Sequence, residues 1–436
     1  MAYDIILGRD DSDRERFGSE GTIFFGKHFV KMGETMSLSN RVLLDVARPH
    51  VILLSGKRGS GKSYSLGTVF EGILNLPEEI RRNLSVIVVD TMGIYWTSKF
   101  PNIRQSDLLE EWDLKPKGSK VVVYVPKKYF KVQKEGGIAS DRPLSIKPSE
   151  LSAFDWVSLF EVKITDPMGV LLERSLSSLK GNFSIGDIVE VIKHDSKSED
   201  GIKLALENRL VAAKSWGIFD IDATPLKELI APSQVSILDV SVYKGMSAGW
   251  GLSSLVLSII GKKILEERMN ARKKEELEII GASTNLLESE KIEKPIVWIL
   301  IDEAHQFLPK DGSTPATETL KRILREGRQP GLSLVLATQQ PGEIHRDALT
   351  QSDMVISHRV TARNDIEALN AIMQTYLVSD IQKYLAALPK LKGSAIVLDD
   401  NSERIYPIRV RPRTSWHGGD SPEAVKKEKE VLGVKI

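Results

Sequence analysis

The chain contains no cysteine among its 436 residues. This absence excludes disulfide bonds and thiolate metal sites, and it fits a reducing compartment. Long apolar runs are also missing, because the longest, residues 252–261, is far shorter than the roughly 20 residues of a membrane-spanning helix. The first ten residues include Asp4, Arg9 and Asp10, so they do not resemble a secretory signal. We therefore expect a soluble, cytoplasmic protein without a membrane anchor.

An excess of charge of one sign is lacking as well. The 60 basic residues nearly balance the 59 acidic ones, and the net charge is +1. A global attraction to nucleic acid is therefore absent, although a local basic channel or patch would need only a few side chains. Hydrophobic residues make up 41% of the chain, enough for a large core, and the length favours two or three domains.

Continuous apolar runs alternate with helical patterns along most of the chain. Such runs are typical of a parallel sheet covered on both faces, and they occupy residues 51–54, 84–89, 120–125, 235–240, 296–301, 333–337 and 354–356. Two later runs, 394–398 and 404–410, predict a hairpin across residues 399–401. The sequence thus predicts an α/β fold with a mostly parallel sheet.

Other segments interrupt this alternation. We predict a short N-terminal β region (1–48), an α/β core in two parts (49–145 and 231–412), a mainly helical insertion (146–230) and a C-terminal tail (413–436). Within these parts we expect a charged loop at 9–16, a long helix at about 251–276, and a charged helical or disordered stretch at 423–430.

A glycine-rich segment lies between the first core strand and the first core helix. Residues 56–63 match G-x-x-x-x-G-K-[ST], in which backbone amides and the helix dipole attract phosphate. Lys62 would reach the β- and γ-phosphates, and Ser63 would bind magnesium. A chance turn of this pattern is expected only about 0.02 times in such a chain. The sequence therefore predicts an ATP site formed by Gly56, Lys57, Arg58, Gly59, Ser60, Gly61, Lys62, Ser63 and Tyr64.

Polar residues end two later strands and would complete this site. Asp302 follows the strand at 296–301, where an acid can hold magnesium, and Glu303 is placed to act as general base. Acids also favour helix N-termini, but a phosphate-binding loop in the same chain favours the catalytic interpretation. Gln339 ends the next strand and could sense the γ-phosphate. His305 is expected to pack or to make a local hydrogen bond.

An arginine-rich segment lies between these two strands. Arg325 or Arg328 could reach the nucleotide of a neighbouring subunit and stabilise charge in the transition state. A basic helix end that complements the dipole is the alternative. Arg359 and Arg363 are weaker candidates for the same role.

Together these motifs resemble the HerA family of DNA translocases, which is related to FtsK. The resemblance runs in order from about residue 20 to 420, and it rests on residues 56–63, 90–95, 237–241, 302–305, 325–328, 337–341 and 411–419. It implies a RecA-like P-loop NTPase core, a hexameric ring and ATP-driven movement of double-stranded DNA through the central channel. It also implies a NurA-like nuclease partner in resecting broken DNA ends.

Two features depart from the family pattern. The family usually has a larger N-terminal β-barrel that helps to dock partners, whereas about 48 residues precede the core here. The acidic residue typical of the segment at 90–95 is Ile94. A HerA-like paralogue with a short N-terminal region and a different associate is the alternative.

DNA in such a channel would be held through its phosphates. The best candidate contacts are Lys127, Lys128 and Lys131, in a basic segment with interleaved aromatics that could form a pore loop. A solvated surface loop is the alternative.

A second hypothesis for the function is an assembly ATPase that organises a nuclease or defence effector without translocating. Glu303 favours turnover over a passive switch, although slow hydrolysis would suit either hypothesis. A conjugative coupling ATPase is disfavoured because no membrane segment is present, and a metabolic kinase would leave the arginine-rich segment without a role.

Overall fold

The computed structural model describes residues 3–32, 35–246, 249–284, 294–373, 381–419, 430–431 and 434–435. Within them lies a 13-stranded sheet. Its strands are β1 (Ile5–Leu7), β2 (Thr22–Met32), β3 (Thr35–Asp45), β4 (Val51–Ser55), β5 (Leu84–Asp90), β6 (Val121–Pro126), β7 (Arg142–Leu144), β8 (Val235–Asp239), β9 (Ile296–Ile301), β10 (Leu332–Thr338), β11 (Met354–His358), β12 (Ser394–Asp399) and β13 (Arg404–Val410). A separate two-stranded ladder pairs β14 (Glu430–Val431) with β15 (Val434–Lys435).

Helices connect these strands and cover the sheet. They are α1 (Asp11–Phe17), α2 (Lys62–Leu74), α3 (Glu78–Arg81), α4 (Ser106–Glu110), α5 (Lys127–Glu135), α6 (Ala153–Leu159), α7 (Pro167–Ser178), α8 (Ile185–Lys193), α9 (Asp200–Ser215), α10 (Leu226–Leu229), α11 (Gly249–Thr284), α12 (Thr317–Glu326), α13 (Arg346–Thr350), α14 (Arg363–Met373) and α15 (Ile381–Ala387). Short 3-10 turns include Tyr95–Lys99, Ser241–Tyr243 and Ala304–Gln306. Among the helices that the structure describes, none has both the length and the apolar character that a bilayer span requires.

The sheet order is β1-β3-β2-β13-β12-β11-β4-β10-β9-β5-β8-β6-β7. From β11 to β7 every neighbouring pair is parallel, whereas β12, β13 and β2 join through antiparallel ladders. Apart from the edge strand β7, the parallel strands are buried on both faces, which explains why they read as continuous apolar runs. The predicted α/β class with a mostly parallel sheet is confirmed, and the hairpin predicted across 399–401 is the β12–β13 ladder.

Each face of the sheet has its own apolar core. Leu66 and Phe70 of α2 pack on one face, together with residues of the N-terminal strands. Trp156 of α6, Leu210 of α9 and Leu255 of α11 belong to the core on the opposite face. Between β7 and β8 the chain forms helices α6 to α10, and these supply much of the second core. The domain boundaries given above remain predictions.

Two segments expected as loops are helices. Residues 11–17 form α1, because Asp10 caps its N-terminus by accepting from the backbone N–H of Asp13 at 2.8 Å and the acidic and basic residues complement the dipole. The basic segment at 127–135 forms α5 directly after Pro126, with its lysines on a solvated face. Of the charged stretch predicted at 423–430, only Glu430 lies within the described residues.

Candidate active site

The glycine-rich loop joins β4 to α2 in a conformation that glycine favours. Gly56 has φ of 154°, and a Cβ there would lie 2.7 Å from the Cβ of His358. Gly61 has φ of 116° immediately before α2 begins. The backbone N–H of Lys57 donates to the carbonyl of Arg359 at 3.1 Å, and that of Ser60 donates to the carbonyl of Lys57 at 3.1 Å. The first contact joins the loop to the residue that follows β11, and the second closes a turn within the loop.

The loop has the features of a phosphate site. The first four N–H groups of an α-helix lack partners within the helix, and here those of α2 follow the loop directly. The hydroxyl of Ser60 is buried without a hydrogen-bond partner among the described residues. An anion with several acceptor oxygens would satisfy both kinds of donor.

Lys62 is the cation of the site. Its side chain is buried, and Nζ lies 3.4 Å from the carbonyl oxygen of Lys57. Burial lowers the pKa of Lys62, whereas the carboxylates of Glu303 and Asp302 oppose that shift. The three side chains therefore share one electrostatic environment.

Ser63 and Asp302 come together from α2 and from the end of β9. The hydroxyl of Ser63 donates to Oδ2 of Asp302 at 2.7 Å, although 239 residues separate them in sequence. Hydroxyl and carboxylate oxygens beside a phosphate loop are the ligands that magnesium prefers. The residues present therefore fit a magnesium ion.

Glu303 adopts a left-handed backbone conformation with φ of 52° and ψ of 45°. Its N–H donates to Oδ1 of Asp302 at 3.0 Å, and its Oε1 accepts a hydrogen bond from Nε2 of Gln339. Oε2 is buried without a hydrogen-bond partner among the described residues. Burial raises the pKa of Glu303, while the bond from Gln339 opposes the shift. Such a conformation is sparsely populated by residues other than glycine, and it is typical of functional sites.

His305 supports the neighbouring strand ends. Its Nδ1 lies 3.1 Å from the hydroxyl of Thr338 at the end of β10, and 3.6 Å from Oε2 of Glu303. Burial lowers its pKa, which favours the neutral imidazole. This local hydrogen bond agrees with the role expected from the sequence.

His358 supports the phosphate loop but was not found from the sequence. It is buried at the end of β11, where Nε2 lies 2.9 Å from the hydroxyl of Ser65 and Nδ1 lies 3.0 Å from the carbonyl of Ser394. Burial lowers its pKa to about 4, so the ring is neutral, donating from Nδ1 and accepting at Nε2. No local motif marks this residue, because its partners come from α2 and β12.

The outer face of α2 is covered by residues 411–415, here called the C-terminal strap. Glu71 of α2 is fully buried and accepts from Arg413 Nε at 2.9 Å and from Arg411 Nη1 at 3.2 Å. Burial opposes ionisation of Glu71, but Arg413 and Arg411 hold its pKa below the ordinary value. A Cβ at Gly67 would lie 2.3 Å from the guanidinium of Arg413, so the strap requires a glycine on this face.

Tyr64, predicted to contact nucleotide, has its side chain against this strap. Its hydroxyl accepts from the backbone N–H of Arg413 at 2.6 Å and donates to Oε1 of Gln105 at 2.8 Å. The ring meets His417 edge to face, with centroids 5.3 Å apart. The backbone of Tyr64 remains in the first turn of α2, next to the phosphate loop.

The candidate arginines make no described contact with this chain's own acidic pair. Arg325, at the end of α12, is 58% exposed and forms an ion pair with Asp347 at 2.7 Å. Arg328 follows the helix and is exposed. The described contacts connect neither of them to Lys62 or Glu303.

Two of the three lysines proposed as DNA contacts have intramolecular partners. Lys127 forms an ion pair with Asp220, and Lys128 donates to the carbonyl of Ser215 at 2.7 Å. Lys131 is 85% exposed and lies 3.8 Å from Glu135 on the same helix. The expected pore loop is therefore wrong as local structure, and Lys131 is the most available of the three cations.

A mostly parallel sheet in which a phosphate loop, an acidic pair and a polar strand end meet at one edge defines a P-loop ATPase. The chain belongs to the HerA helicase family: the model for the central domain of helicase HerA matches residues 30–267, and the model for the HerA-like C-terminal domain matches residues 282–412. The predicted family and ATPase activity are thus confirmed.

Two similar proteins carry the name of this family. The DNA double-strand break repair helicase HerA of Pyrococcus furiosus is 25% identical over 431 residues, which cover 91% of this chain and 74% of that protein. The HerA repair helicase of Sulfurisphaera tokodaii is 22% identical over 441 residues, with 95% and 74% covered.

Solved structures share the fold. VirB4 of Thermoanaerobacter pseudethanolicus superposes with a TM-score of 0.54 at 14% identity, covering 91% of this chain and 97% of that one. The bacterial conjugative coupling protein TrwB has a TM-score of 0.52 at 15% identity, with 86% and 88% covered. At this identity the likeness concerns the fold alone.

Proposed function

We propose that the protein is a ring-forming ATPase that translocates on double-stranded DNA in the cytoplasm. We further propose that it acts in DNA end processing and repair with a NurA-like nuclease. The observation that carries the proposal is the convergence of Lys62, Ser63, Asp302, Glu303 and Gln339 at one sheet edge, which is a complete set for hydrolysis. The names of the HerA relatives, which are DNA repair helicases, support the choice of substrate.

The substrate would be held by the loop and α2. In this proposal the loop amides and the Ser60 hydroxyl bind the phosphates, and Lys62 lies against the β- and γ-phosphates. Ser63 and Asp302 would hold magnesium, which when bound neutralises charge on the phosphate oxygens. Burial of Lys62 strengthens its attraction for the triphosphate because less water screens it.

Hydrolysis needs a base beside the γ-phosphate. Glu303 would accept a proton from water as the water oxygen bonds to the γ-phosphorus, while the bond to the bridging oxygen breaks and ADP leaves. Its free Oε2 is available for that water, because Gln339 occupies Oε1. Gln339 would therefore orient the base and register loss of the γ-phosphate.

Exposure of the arginines supports a subunit ring. Arg325 lies at the end of α12 and Arg328 follows it; both are exposed and without a described contact to the site of their own chain, as expected of cations that serve a neighbour. In a hexamer each arginine would reach the ATP of the next subunit. Asp347 would hold Arg325 when no neighbouring triphosphate is present.

The DNA contact would be electrostatic. Lys131 is exposed on α5, while Lys127 and Lys128 would have to exchange their intramolecular partners for DNA phosphates. Contacts of this kind bind DNA without reading its sequence and weaken as salt concentration rises.

The test combines three measurements on the full chain. We expect duplex DNA to stimulate ATP hydrolysis, ATP to drive displacement of a roadblock protein from that duplex, and the solution mass with ATP and DNA to be that of a hexamer. Glu303→Gln is the control, since it should assemble without displacing the roadblock. Stimulated hydrolysis with no displacement would overturn translocation and favour an assembly ATPase. A monomer under these conditions would overturn the ring.

A further inference from the structure

Tyr95 lies at the centre of the magnesium side of the site, although no motif for phosphate or metal binding includes it. It follows β5 and is completely buried. Its hydroxyl lies 3.0 Å from Oδ2 of Asp302 and 3.3 Å from the carbonyl oxygen of Ser63. Both neighbours are acceptors, so the phenol donates its proton to the two residues that would hold magnesium.

The position of Tyr95 is itself fixed. Its backbone N–H donates to Oδ2 of Asp90 at 2.8 Å, and Oδ1 of the same carboxyl accepts from the N–H groups of Met92 at 3.0 Å and Gly93 at 2.7 Å. Its ring meets Phe70 of α2 edge to face, with centroids 6.0 Å apart. These contacts hold the backbone of Tyr95 against β5 and its ring against α2, which favours the position of the hydroxyl beside Asp302.

The geometry points to Tyr95 as a positioning residue for the magnesium ligands. Oδ2 of Asp302 accepts from both Ser63 and Tyr95. When Ser63 turns its hydroxyl towards a metal, Tyr95 still holds Oδ2. The other carboxylate oxygen, Oδ1, accepts from the backbone N–H of Glu303 at 3.0 Å and keeps a second lone pair for the ion or its water. This inference rests on the proposed roles of Ser63 and Asp302, and it requires no contact between Tyr95 and the nucleotide.

The test is metal affinity measured without turnover. We expect Tyr95→Phe to weaken Mn²⁺ binding about 10-fold or more in the complex with ADP, followed by electron paramagnetic resonance, because loss of such a supporting bond typically costs 10- to 100-fold. Affinity for a fluorescent ATP analogue in EDTA should stay within about 2-fold of the unsubstituted protein. In steady state, the Mg²⁺ concentration for half-maximal hydrolysis should rise, and excess Mg²⁺ should restore the rate.

The matched control is Tyr243→Phe. Tyr243 is also buried, but the described partner of its hydroxyl is the carbonyl of Trp216 at 3.5 Å, and not a proposed magnesium ligand. This variant should lose a buried hydroxyl with no change in Mn²⁺ affinity. Equal Mn²⁺ affinities for the two variants would overturn the inference.

A second substitution at position 95 and the unsubstituted protein complete the test. If Tyr95→Phe does not fold, 3-fluorotyrosine at position 95 keeps the shape while strengthening the donated hydrogen bond. It should shift Mn²⁺ affinity, and an unchanged affinity would overturn the inference. Failure of the unsubstituted protein to bind Mn²⁺ with ADP would instead overturn the magnesium assignment itself, whereas absence of roadblock displacement would concern translocation alone.

Discussion

Gln339 donates a hydrogen bond to Oε1 of Glu303 and thereby joins the end of β10 to the end of β9. The residue proposed to register the γ-phosphate is thus coupled to the proposed base. Because the amide fixes the carboxylate, its removal should disturb the chemical step more than binding.

We expect Gln339→Ala to lower kcat by at least about 10-fold with little change in KM, and by no more than the 10²–10⁴-fold that the whole positioned base contributes. Steady-state kinetics with ATP would measure this. Gln340→Ala is the matched control, because Gln340 is exposed and follows directly. Equal kcat values for the two variants would contradict the assignment.

Glu303→Gln should bind ATP and fail to turn it over, with kcat reduced about 10²–10⁴-fold. Lys62→Ala should lose nucleotide affinity instead, because the buried cation proposed to bind the triphosphate is gone. Filter binding with labelled ATP separates the two results. Normal hydrolysis by Glu303→Gln would show that the base is another residue.

Protonation of Glu303 should set the acid limb of the rate profile. Burial raises its pKa above the ordinary 4.5, and the base works only when ionised, so kcat falls as pH drops through that raised pKa. Single-turnover rates between pH 5 and pH 8 would show the limb. Its persistence in Glu303→Gln would assign the limb to a different group.

The left-handed backbone at Glu303 should affect the free energy of unfolding of variants at this position. A residue with Cβ costs roughly 1 kcal/mol in this conformation, whereas glycine is free of that cost. Glu303→Gly should therefore be more stable than Glu303→Ala by about that amount in denaturant unfolding. At Glu173, exposed within α7, we expect the reverse order. The same order at both positions would refute the prediction.

His50 should make stability depend on alkaline pH. Burial alone would lower its pKa, but hydrogen bonds to Asp353 at 2.7 Å and Asp45 at 3.0 Å raise it from 6.5 to about 9. A raised pKa means that the stabilisation is complete below pH 6.5 and is lost as pH rises through about 9, an effect of roughly 3 kcal/mol.

Urea unfolding between pH 6 and pH 10 tests this, with His50→Gln as the variant. The variant should be less stable at pH 6 and lose less stability between pH 6.5 and pH 9. His194→Gln is the control, because His194 is exposed on the surface. A native pH profile in His50→Gln would contradict the assignment.

The parts of the fold and site that could be predicted from the sequence are those that a short stretch of residues encodes. The phosphate loop is a contiguous motif, and Asp302 and Glu303 end an apolar strand whose neighbours are fixed by the parallel topology. The contacts of His358 with Ser65, 293 residues apart, and of Tyr95 with Asp302, 207 apart, have no local signature. Helix α5 was missed because its apolar residues are few and its face is solvated.

The C-terminal strap pairs with Glu71, and it is synthesised much later than α2. Arg411 and Arg413 lie 340 and 342 residues after that carboxylate. A growing polypeptide therefore contains the phosphate loop and α2 long before these two arginines can pair with the charge of Glu71. An unpaired buried charge costs about 3–5 kcal/mol, enough to keep α2 from docking. We therefore expect a nascent chain on the ribosome to remain incapable of consuming ATP until residues near 415 have emerged.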